Sequence, residues 1–207
     1  MSSRFVLDST QTALALIPPS ALHPPIEAIR ARHDRAYHRW PPHINIVYLF
    51  VPANSLSDAI SVLRSNLHQH VADVVNLHVS LEAPHMFTHH RNATVFLKPD
   101  AESEQRLRNL RDVLVRCLGA VEGESPHGQG FTPHLSVGQA SLRKSGDAVA
   151  NLTTIAGRML AEESIEWEAR SVAVLKRDRA SGRMMLVDEV SIGDERPSGD
   201  GSDSSSG

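Results

Sequence analysis

Two short segments of the sequence repeat an arrangement of residues that is suited to proton transfer. The segment at residues 42–46 reads Pro-His-Ile-Asn-Ile, and the segment at residues 133–137 reads Pro-His-Leu-Ser-Val. Each segment therefore supplies one histidine, His43 or His134, followed two residues later by a polar side chain. Imidazole groups titrate near neutral pH, so a pair of them can act as acid and base in one reaction.

Both segments begin runs that are typical of β-strands, at residues 43–50 and 134–138. Successive side chains on a strand point to opposite faces, so His43 shares a face with Asn45, and His134 shares a face with Ser136. The aliphatic residues between them point the other way, into a core. The polar face of each strand is left free for chemistry.

Phosphodiester cleavage by in-line attack needs one base for the nucleophile and one acid for the leaving oxygen. If the two strands lie side by side, His43 and His134 can supply both. Asn45 and Ser136 can donate hydrogen bonds to the non-bridging phosphate oxygens and stabilise the charge that develops there. This chemistry requires no metal and no cofactor. One such motif occurs often by chance, but two copies in matching places favour catalysis.

The surrounding sequence predicts elements in an order that nearly repeats. Apolar runs predict further strands at residues 12–17, 76–82, 94–98, 167–176 and 184–192, and helical spacing predicts helices near residues 24–29, 55–70, 101–118 and 147–163. This order indicates an α+β fold of two pseudo-symmetric lobes with mostly antiparallel sheets. We expect a single domain over residues 1–194 and a disordered tail over residues 195–207, which has no strongly apolar residue.

Composition narrows the functional classes further. The chain has 207 residues and a formal net charge of −3, which argues against a protein that grips long stretches of nucleic acid. The single cysteine, Cys117, excludes an intrachain disulfide and a cysteine-based zinc site. No run approaches the roughly 18 apolar residues of a membrane span. We expect a cytoplasmic or nuclear monomer that has no membrane partner.

The paired motifs resemble those of the 2H phosphoesterase superfamily, which includes LigT-like 2′-5′ RNA ligases and cyclic nucleotide phosphodiesterases. Its members carry two His-x-(Ser/Thr)-x motifs, one in each lobe of a bilobal fold with a central groove. The second motif here, Thr-Pro-His-Leu-Ser-Val at residues 132–137, matches closely. The first departs from the pattern, because Asn45 stands where serine or threonine is usual; it can still donate through its NH₂ group.

The resemblance implies an enzyme that acts without metal on 2′,3′-cyclic phosphates or 2′-5′ linkages. Its substrate would be a nucleotide or an RNA 3′ end. By analogy, His43 and His134 would form the acid–base pair, while Asn45 and Ser136 would hold the phosphate. The resemblance does not assign which histidine is the acid and which is the base.

Side chains near the motif strands are weaker candidates for contact with this substrate. Tyr37, Trp40, Phe87 and Phe131 are the aromatic residues placed to stack on a base, although most aromatic residues of this kind belong to the core. Arg39 is a candidate for pairing with a phosphate, although a solvated arginine is the simpler interpretation.

Two other functions remain open at this point. The first is a module of the same fold that binds a nucleotide or an RNA end without turning it over. The departure of Asn45 from the usual motif suggests it. The second is a histidine-based metallohydrolase, which the twelve histidines suggest. No carboxylate accompanies either motif at the spacing of metal ligands, which disfavours the second.

Overall fold

The computed structural model describes residues 5–70, 77–122, 130–142 and 147–192. In these ranges the strands are β1 (Val6–Leu7), β2 (Thr12–Leu16), β3 (Ile44–Val47), β4 (Leu77–Thr88), β5 (Asn92–Pro99), β6 (Val121–Glu122), β7 (Leu135–Ser141), β8 (Ile165–Ala169), β9 (Ser171–Arg177) and β10 (Met184–Ser191). The helices are α1 (His23–His33), α2 (Leu56–Leu67), α3 (Ala101–Cys117) and α4 (Asp147–Glu162), with short 3₁₀ turns at Ser20–Leu22 and His68–His70. The expected tail at residues 195–207 lies outside the described residues.

Eight of the strands form one antiparallel sheet that consists of two halves. Their order is β10-β9-β2-β3-β7-β5-β4-β8, and β1 pairs with β6 in a separate parallel ladder. The halves meet at β3 and β7, where Ile44 pairs with Leu135. The succession β2-α1-β3-α2 in one half is matched by β5-α3-β7-α4 in the other. The α+β fold with two lobes of antiparallel strands is therefore confirmed.

Helix α3 illustrates how the local sequence fixes an element. Asp100 lies in an extended conformation before the helix, and its carboxylate accepts a hydrogen bond of 2.7 Å from the backbone N–H of Ser103. This bond satisfies one of the free donors at the helix start. Leu107 and Leu110 follow at helical spacing and are fully buried. Gly119 comes after the helix with a φ of 56°, a conformation that favours glycine.

The chain after α4 differs from the sequence expectation. The apolar pattern predicts one strand over residues 167–176, whereas the structure has β8 ending at Ala169 and β9 beginning at Ser171. Strand β8 pairs with β4 in one half of the sheet, and β9 pairs with β2 in the other half. Arg170 alone separates them, so the crossing between the halves leaves no turn signal in the sequence.

The apolar core contains side chains from both halves of the sheet and from all four helices of the described ranges. Cys117, at the end of α3, is buried within it, and burial raises the pKa of its thiol. The position fits a packed thiol. No helix in the part of the chain that the structure describes is long and apolar enough to cross a membrane.

Candidate active site

The pairing of β3 with β7 brings the two sequence motifs together. Ile44 and Leu135 are partners in the antiparallel register, and both are fully buried. Residues that flank such a pair project to the opposite face of the sheet. His43 and Asn45 therefore lie on the same face as His134 and Ser136, and this face is turned away from the Ile44–Leu135 side of the sheet.

The register also sets the spacing of the two histidines. When the pairing of Ile44 with Leu135 is extended by one residue each way, His43 lies opposite Ser136 and Asn45 lies opposite His134. The two histidines are then diagonal neighbours, and such residues are about 7–8 Å apart across an antiparallel pair. The register therefore makes the two histidines neighbours across the sheet.

Three neighbours hold the ring of His43. Its Nδ1 lies 2.8 Å from the carbonyl oxygen of Pro41, so Nδ1–H donates. Nε2 then carries the lone pair of the neutral ring. The Asn45 Nδ2 lies 3.0 Å from that Nε2 and donates to it. The ring of Trp40 stacks on the imidazole, with 4.5 Å between centroids and 15° between planes.

The ring of His134 is held in the same way from the other strand. Its Nδ1 lies 2.8 Å from the carbonyl oxygen of Thr132, which again stands two residues earlier. Phe87 and Phe96 pack edge-to-face on the imidazole, with centroids 4.9 Å and 5.1 Å away. Both histidines thus use Nδ1 for a backbone contact, and Nε2 of His43 contacts the Asn45 amide.

The surroundings make both imidazoles weaker bases. Burial lowers the pKa of His43 to about 4, and the charges of Arg30 and His134 lower it further, while the Pro41 carbonyl and Asp34 act in the opposite direction. Burial also lowers the pKa of His134, against the effect of its bond to Thr132. His43 is therefore neutral over most of the pH range.

The two polar partners of the histidines differ in their present contacts. Asn45 is partly buried, and its Nδ2 contacts His43, while its Oδ1 is buried with no hydrogen-bond partner among the described residues. Ser136 is partly buried in β7, in register with Phe96 of β5. Both residues border the space between the imidazoles.

A sequence profile of the 2′-5′ RNA ligase superfamily matches residues 18–181. The matched span includes both histidine motifs and most of the chain. The chain belongs to the 2′-5′ RNA ligase superfamily. The resemblance to 2H phosphoesterases that the two motifs indicated is therefore confirmed. No curated protein matches the chain in sequence.

Solved structures of this superfamily fold superpose on most of the chain. E. coli LigT complexed with ATP aligns at 15% identity over 90% of this chain and 100% of that chain, with a TM-score of 0.52. E. coli LigT complexed with NADP+ aligns at 15% identity over 89% of this chain and 98% of that chain, with a TM-score of 0.50. At this identity the likeness establishes a shared fold.

The weaker sequence candidates lie at different places in this superfamily fold. Phe87 contacts His134 directly. Tyr37 is partly buried, with the guanidinium of Arg30 5.9 Å from the centre of its ring. Arg39 is exposed, and its carbonyl oxygen accepts a hydrogen bond of 2.7 Å from the backbone of Met184.

Phe131 precedes the second motif and contacts helix α3. Its carbonyl oxygen accepts a hydrogen bond from Arg108, and the guanidinium of Arg111 lies 5.4 Å from its ring centroid. Helix α3 thus holds the segment that leads into the second motif. Phe131 contributes to the position of that segment.

A buried ion pair beside His43 was not anticipated from the sequence. Arg30 and Asp34 are each 2% exposed at the side chain and lie 2.8 Å apart. Arg30 lies on α1 and Asp34 follows its last residue, so their spacing of four residues could be recognised in the sequence as a helical ion pair. The contact of Arg30 Nη2 with the carbonyl oxygen of Trp40, at 2.9 Å, has no local sequence signal.

The twelve histidines of the sequence suggest a metal site. Within residues 5–70, 77–122, 130–142 and 147–192, no three side chains of His, Cys, Asp or Glu are grouped so that they could hold a metal ion.

Proposed function

We propose that the protein is a metal-independent phosphodiesterase that acts on 2′,3′-cyclic phosphates or 2′-5′ linkages of nucleotides or RNA ends. The pairing of Ile44 with Leu135 carries this proposal, because the histidines that precede these residues then share one face as neighbours across the sheet. Membership of the 2′-5′ RNA ligase superfamily agrees with it. The LigT structures with ATP and NADP+ agree with a nucleotide-sized ligand.

In the proposed reaction, His43 is the general base. A base must be unprotonated, and the lowered pKa of His43 keeps it so. Its Nε2 accepts a proton from the attacking water as the oxygen of that water bonds to phosphorus. The Nδ1–H stays on the carbonyl of Pro41, which fixes the ring as the positive charge forms.

His134 is the general acid of the same step. As the bond from phosphorus to the 2′ or 3′ oxygen breaks, Nε2–H of His134 donates its proton to that oxygen. Burial lowers the pKa of His134, so its protonated form is present mainly below the ordinary pKa of 6.5. The rings of Phe87 and Phe96 line it on two sides. Exchange with solvent then returns both imidazoles to their starting protonation states.

Asn45 and Ser136 bind the non-bridging oxygens in this proposal. Asn45 has two N–H donors, and one of them already contacts His43. Substrate displaces this contact before Nε2 of His43 accepts a proton, and the released N–H then donates to a non-bridging oxygen. The hydroxyl of Ser136 donates from the other strand, so charge on the phosphate is stabilised from both halves.

We assign the weaker substrate contacts to the edges of the site. Phe87 offers an aromatic surface beside His134 for a base, and Arg39 offers a positive charge on the segment that leads to His43. Tyr37 and Phe131 act through their neighbours Arg30 and Arg108 and not by contact with a base.

A substrate panel tests this function. The purified protein is incubated with 2′,3′-cyclic mononucleotides, 2′-5′ dinucleotides and matched 3′-5′ dinucleotides, with and without a chelator, and the products are separated by chromatography. We expect turnover of a cyclic phosphate or a 2′-5′ linkage that persists in the chelator, and little turnover of the 3′-5′ control. Equal rates on all three classes, or loss of turnover in the chelator, would contradict the proposal.

A non-catalytic binding module of the same fold is the second candidate, and one observation favours it. The Asn45 amide occupies the Nε2 lone pair of His43 at 3.0 Å, which is the lone pair that a base must use. If this bond is not displaced by substrate, the site binds a nucleotide and leaves it intact.

Asn45→Thr separates the two candidates. A threonine hydroxyl is shorter than the amide and releases Nε2 of His43. For a binding module, calorimetry gives nucleotide affinity in the wild type without product, and Asn45→Thr gains turnover. For the enzyme, the wild type already turns over, and Asn45→Thr changes the rate modestly.

A further inference from the structure

The end of helix α1 is tied to the segment before the first motif and to the strand of the second motif by polar contacts, of which the Arg30–Asp34 pair is buried. Arg30 donates from Nε to the Asp34 carboxylate at 2.8 Å, and from Nη2 to the carbonyl of Trp40 at 2.9 Å. Trp40 is the residue whose ring stacks on His43. The ion pair therefore holds the segment that enters the first motif.

The same helix end contacts the strand of the second motif. Gln139 of β7 donates from Nε2 to Asp34 Oδ1 at 3.1 Å, and its Oε1 accepts the backbone N–H of Arg35 at 2.9 Å. The side-chain amide of Gln139 thus donates one bond and accepts another. Together the two bonds fix both the distance and the orientation of the two elements. Asp34 also accepts the backbone N–H of Ala36 at 2.8 Å, which holds its carboxylate in place.

We propose that Arg30, Asp34 and Gln139 form a brace that sets the position of His43 relative to His134, and that they are positioning residues for the reaction. The brace runs from the stacking residue of His43, through a buried ion pair, to the strand that carries His134. It is needed because the sheet itself joins the halves through the pairing of Ile44 with Leu135 at the start of each strand. The inference rests on the proposed function for its kinetic consequence.

The brace also supplies charges that face His43. Arg30 and Asp34 act on it from α1, and His134 acts on it from β7. Arg30 and His134 lower the pKa of His43, whereas Asp34 raises it, and burial has the largest effect. A loosened brace admits water beside the ring, so the pKa of His43 rises towards its ordinary value.

Gln139 is the residue at which to test the brace. Variants of Arg30 or Asp34 leave one buried charge unpaired, which threatens folding. Gln139→Leu removes both side-chain bonds and leaves the ion pair intact. Gln105→Leu is the matched control, because Gln105 is exposed on α3 and its side chain bonds, within the described part of the chain, to Asn109 of the same helix.

Two measurements are made on the wild type and both variants. Steady-state kinetics with a 2′,3′-cyclic mononucleotide gives kcat and KM, and imidazole NMR without substrate gives the pKa of His43. For Gln139→Leu we expect kcat to fall about 10- to 100-fold, because displacements near 1 Å cost rates of this size. We expect KM to change little and the His43 pKa to rise, with neither change in Gln105→Leu.

The two measurements separate failure of the brace from failure of the proposed function. If the folded Gln139→Leu variant has the kcat and the His43 pKa of the control, the brace is wrong. If the wild type turns over no substrate, the proposed function is wrong, and the NMR result alone decides the brace. A purely structural role for Gln139 would reduce the folded fraction without moving the His43 pKa of the molecules that fold.

Discussion

Each motif histidine has one ring nitrogen committed to the backbone. The Nδ1 atoms of His43 and His134 lie 2.8 Å from the carbonyls of Pro41 and Thr132. These bonds select the tautomer and the ring orientation, so in both cases Nε2 is the atom that the proposed reaction uses. What distinguishes the two rings is their lateral contacts, an amide and an indole for His43 and two phenyl rings for His134.

This difference predicts a bell-shaped dependence of kcat/KM on pH. The proposed reaction needs neutral His43 and protonated His134. Activity therefore falls on the acid side as His43 gains its proton, near pH 4, and on the alkaline side as His134 loses its proton, below its ordinary pKa of 6.5. The profile is measured with a 2′,3′-cyclic mononucleotide at substrate concentrations below KM.

The same measurement on single variants assigns the limbs. His43→Gln removes the acid limb from the residual activity, and His134→Gln removes the alkaline limb. The kcat profile lies at higher pH than the kcat/KM profile, because bound phosphate favours the protonated imidazoles. A kcat/KM profile that continues to rise above neutral pH would contradict the assignment of His134 as the acid.

Close packing of helix α1 against strand β7 adds to the brace at the level of elements. A Cβ on Gly138 would lie 2.6 Å from the Cβ of His33 and 3.0 Å from its carbonyl oxygen. Real Cβ atoms do not approach so closely. The absence of a side chain at Gly138 is therefore what lets α1 lie against β7 beside the contacts of Asp34 with Gln139.

Gly138→Ala tests this packing. The methyl group forces α1 away from β7, so we expect about 1–3 kcal/mol of lost stability and a lower kcat with little change in KM. Chemical denaturation and steady-state kinetics measure the two effects.

Gly157→Ala in α4 provides the control for the added methyl group. Its Cβ would lie 3.6 Å from the nearest atom, Pro84 Cγ, which is an ordinary contact. Alanine favours helix over glycine by about 0.5–1 kcal/mol, so this variant should be at least as stable as the wild type. Equal behaviour of the two variants would show that the α1–β7 contact can relax.

The sequence predicts the elements that carry the chemistry because their signals are local. The alternation of aliphatic and polar residues around His43 and His134 predicts both strands, and an apolar stripe at helical spacing predicts α3. The strand over residues 167–176 is predicted as one piece, because a single residue, Arg170, separates two buried strands of different sheet halves.

The residues around the histidines are not predictable in the same way. The contact of Asp34 with Gln139 joins positions more than one hundred residues apart, and neither residue type is distinctive. Trp40 is identifiable from the sequence as an aromatic residue near the site. Only the fold shows that its ring stacks on His43 and not on open surface.

For the whole molecule, the net charge of −3 fits a substrate that is held at one end. Long-range attraction to nucleic acid is weak for such a protein, so recognition depends on the local groups of the site.

The lowered pKa values predict a loss of stability in acid. Between about pH 6.5 and pH 4 the unfolded chain binds a proton at His43 and the folded chain does not, so the free energy of unfolding falls as the pH decreases. His134 acts in the same direction. For His43 the loss is on the order of 2–3 kcal/mol once the pH has passed through its folded pKa.

Urea denaturation at a series of pH values measures this dependence. We expect the curve of His43→Gln to be flatter than that of the wild type over this range. His89→Gln, which alters an exposed histidine between β4 and β5, is the matched control. Parallel curves for the wild type and His43→Gln would show that the folded state binds this proton as readily as the unfolded chain does.

The most direct test of the account compares kcat for His43→Gln, His134→Gln and the double variant on the substrate that the panel identifies. General acid and base groups each contribute about 10²- to 10⁴-fold, so each single variant should lose activity in this range while remaining folded. Because both groups serve one step, the double variant should be little slower than either single variant. Wild-type kcat in either single variant would contradict the claim that the two imidazoles act on one phosphate.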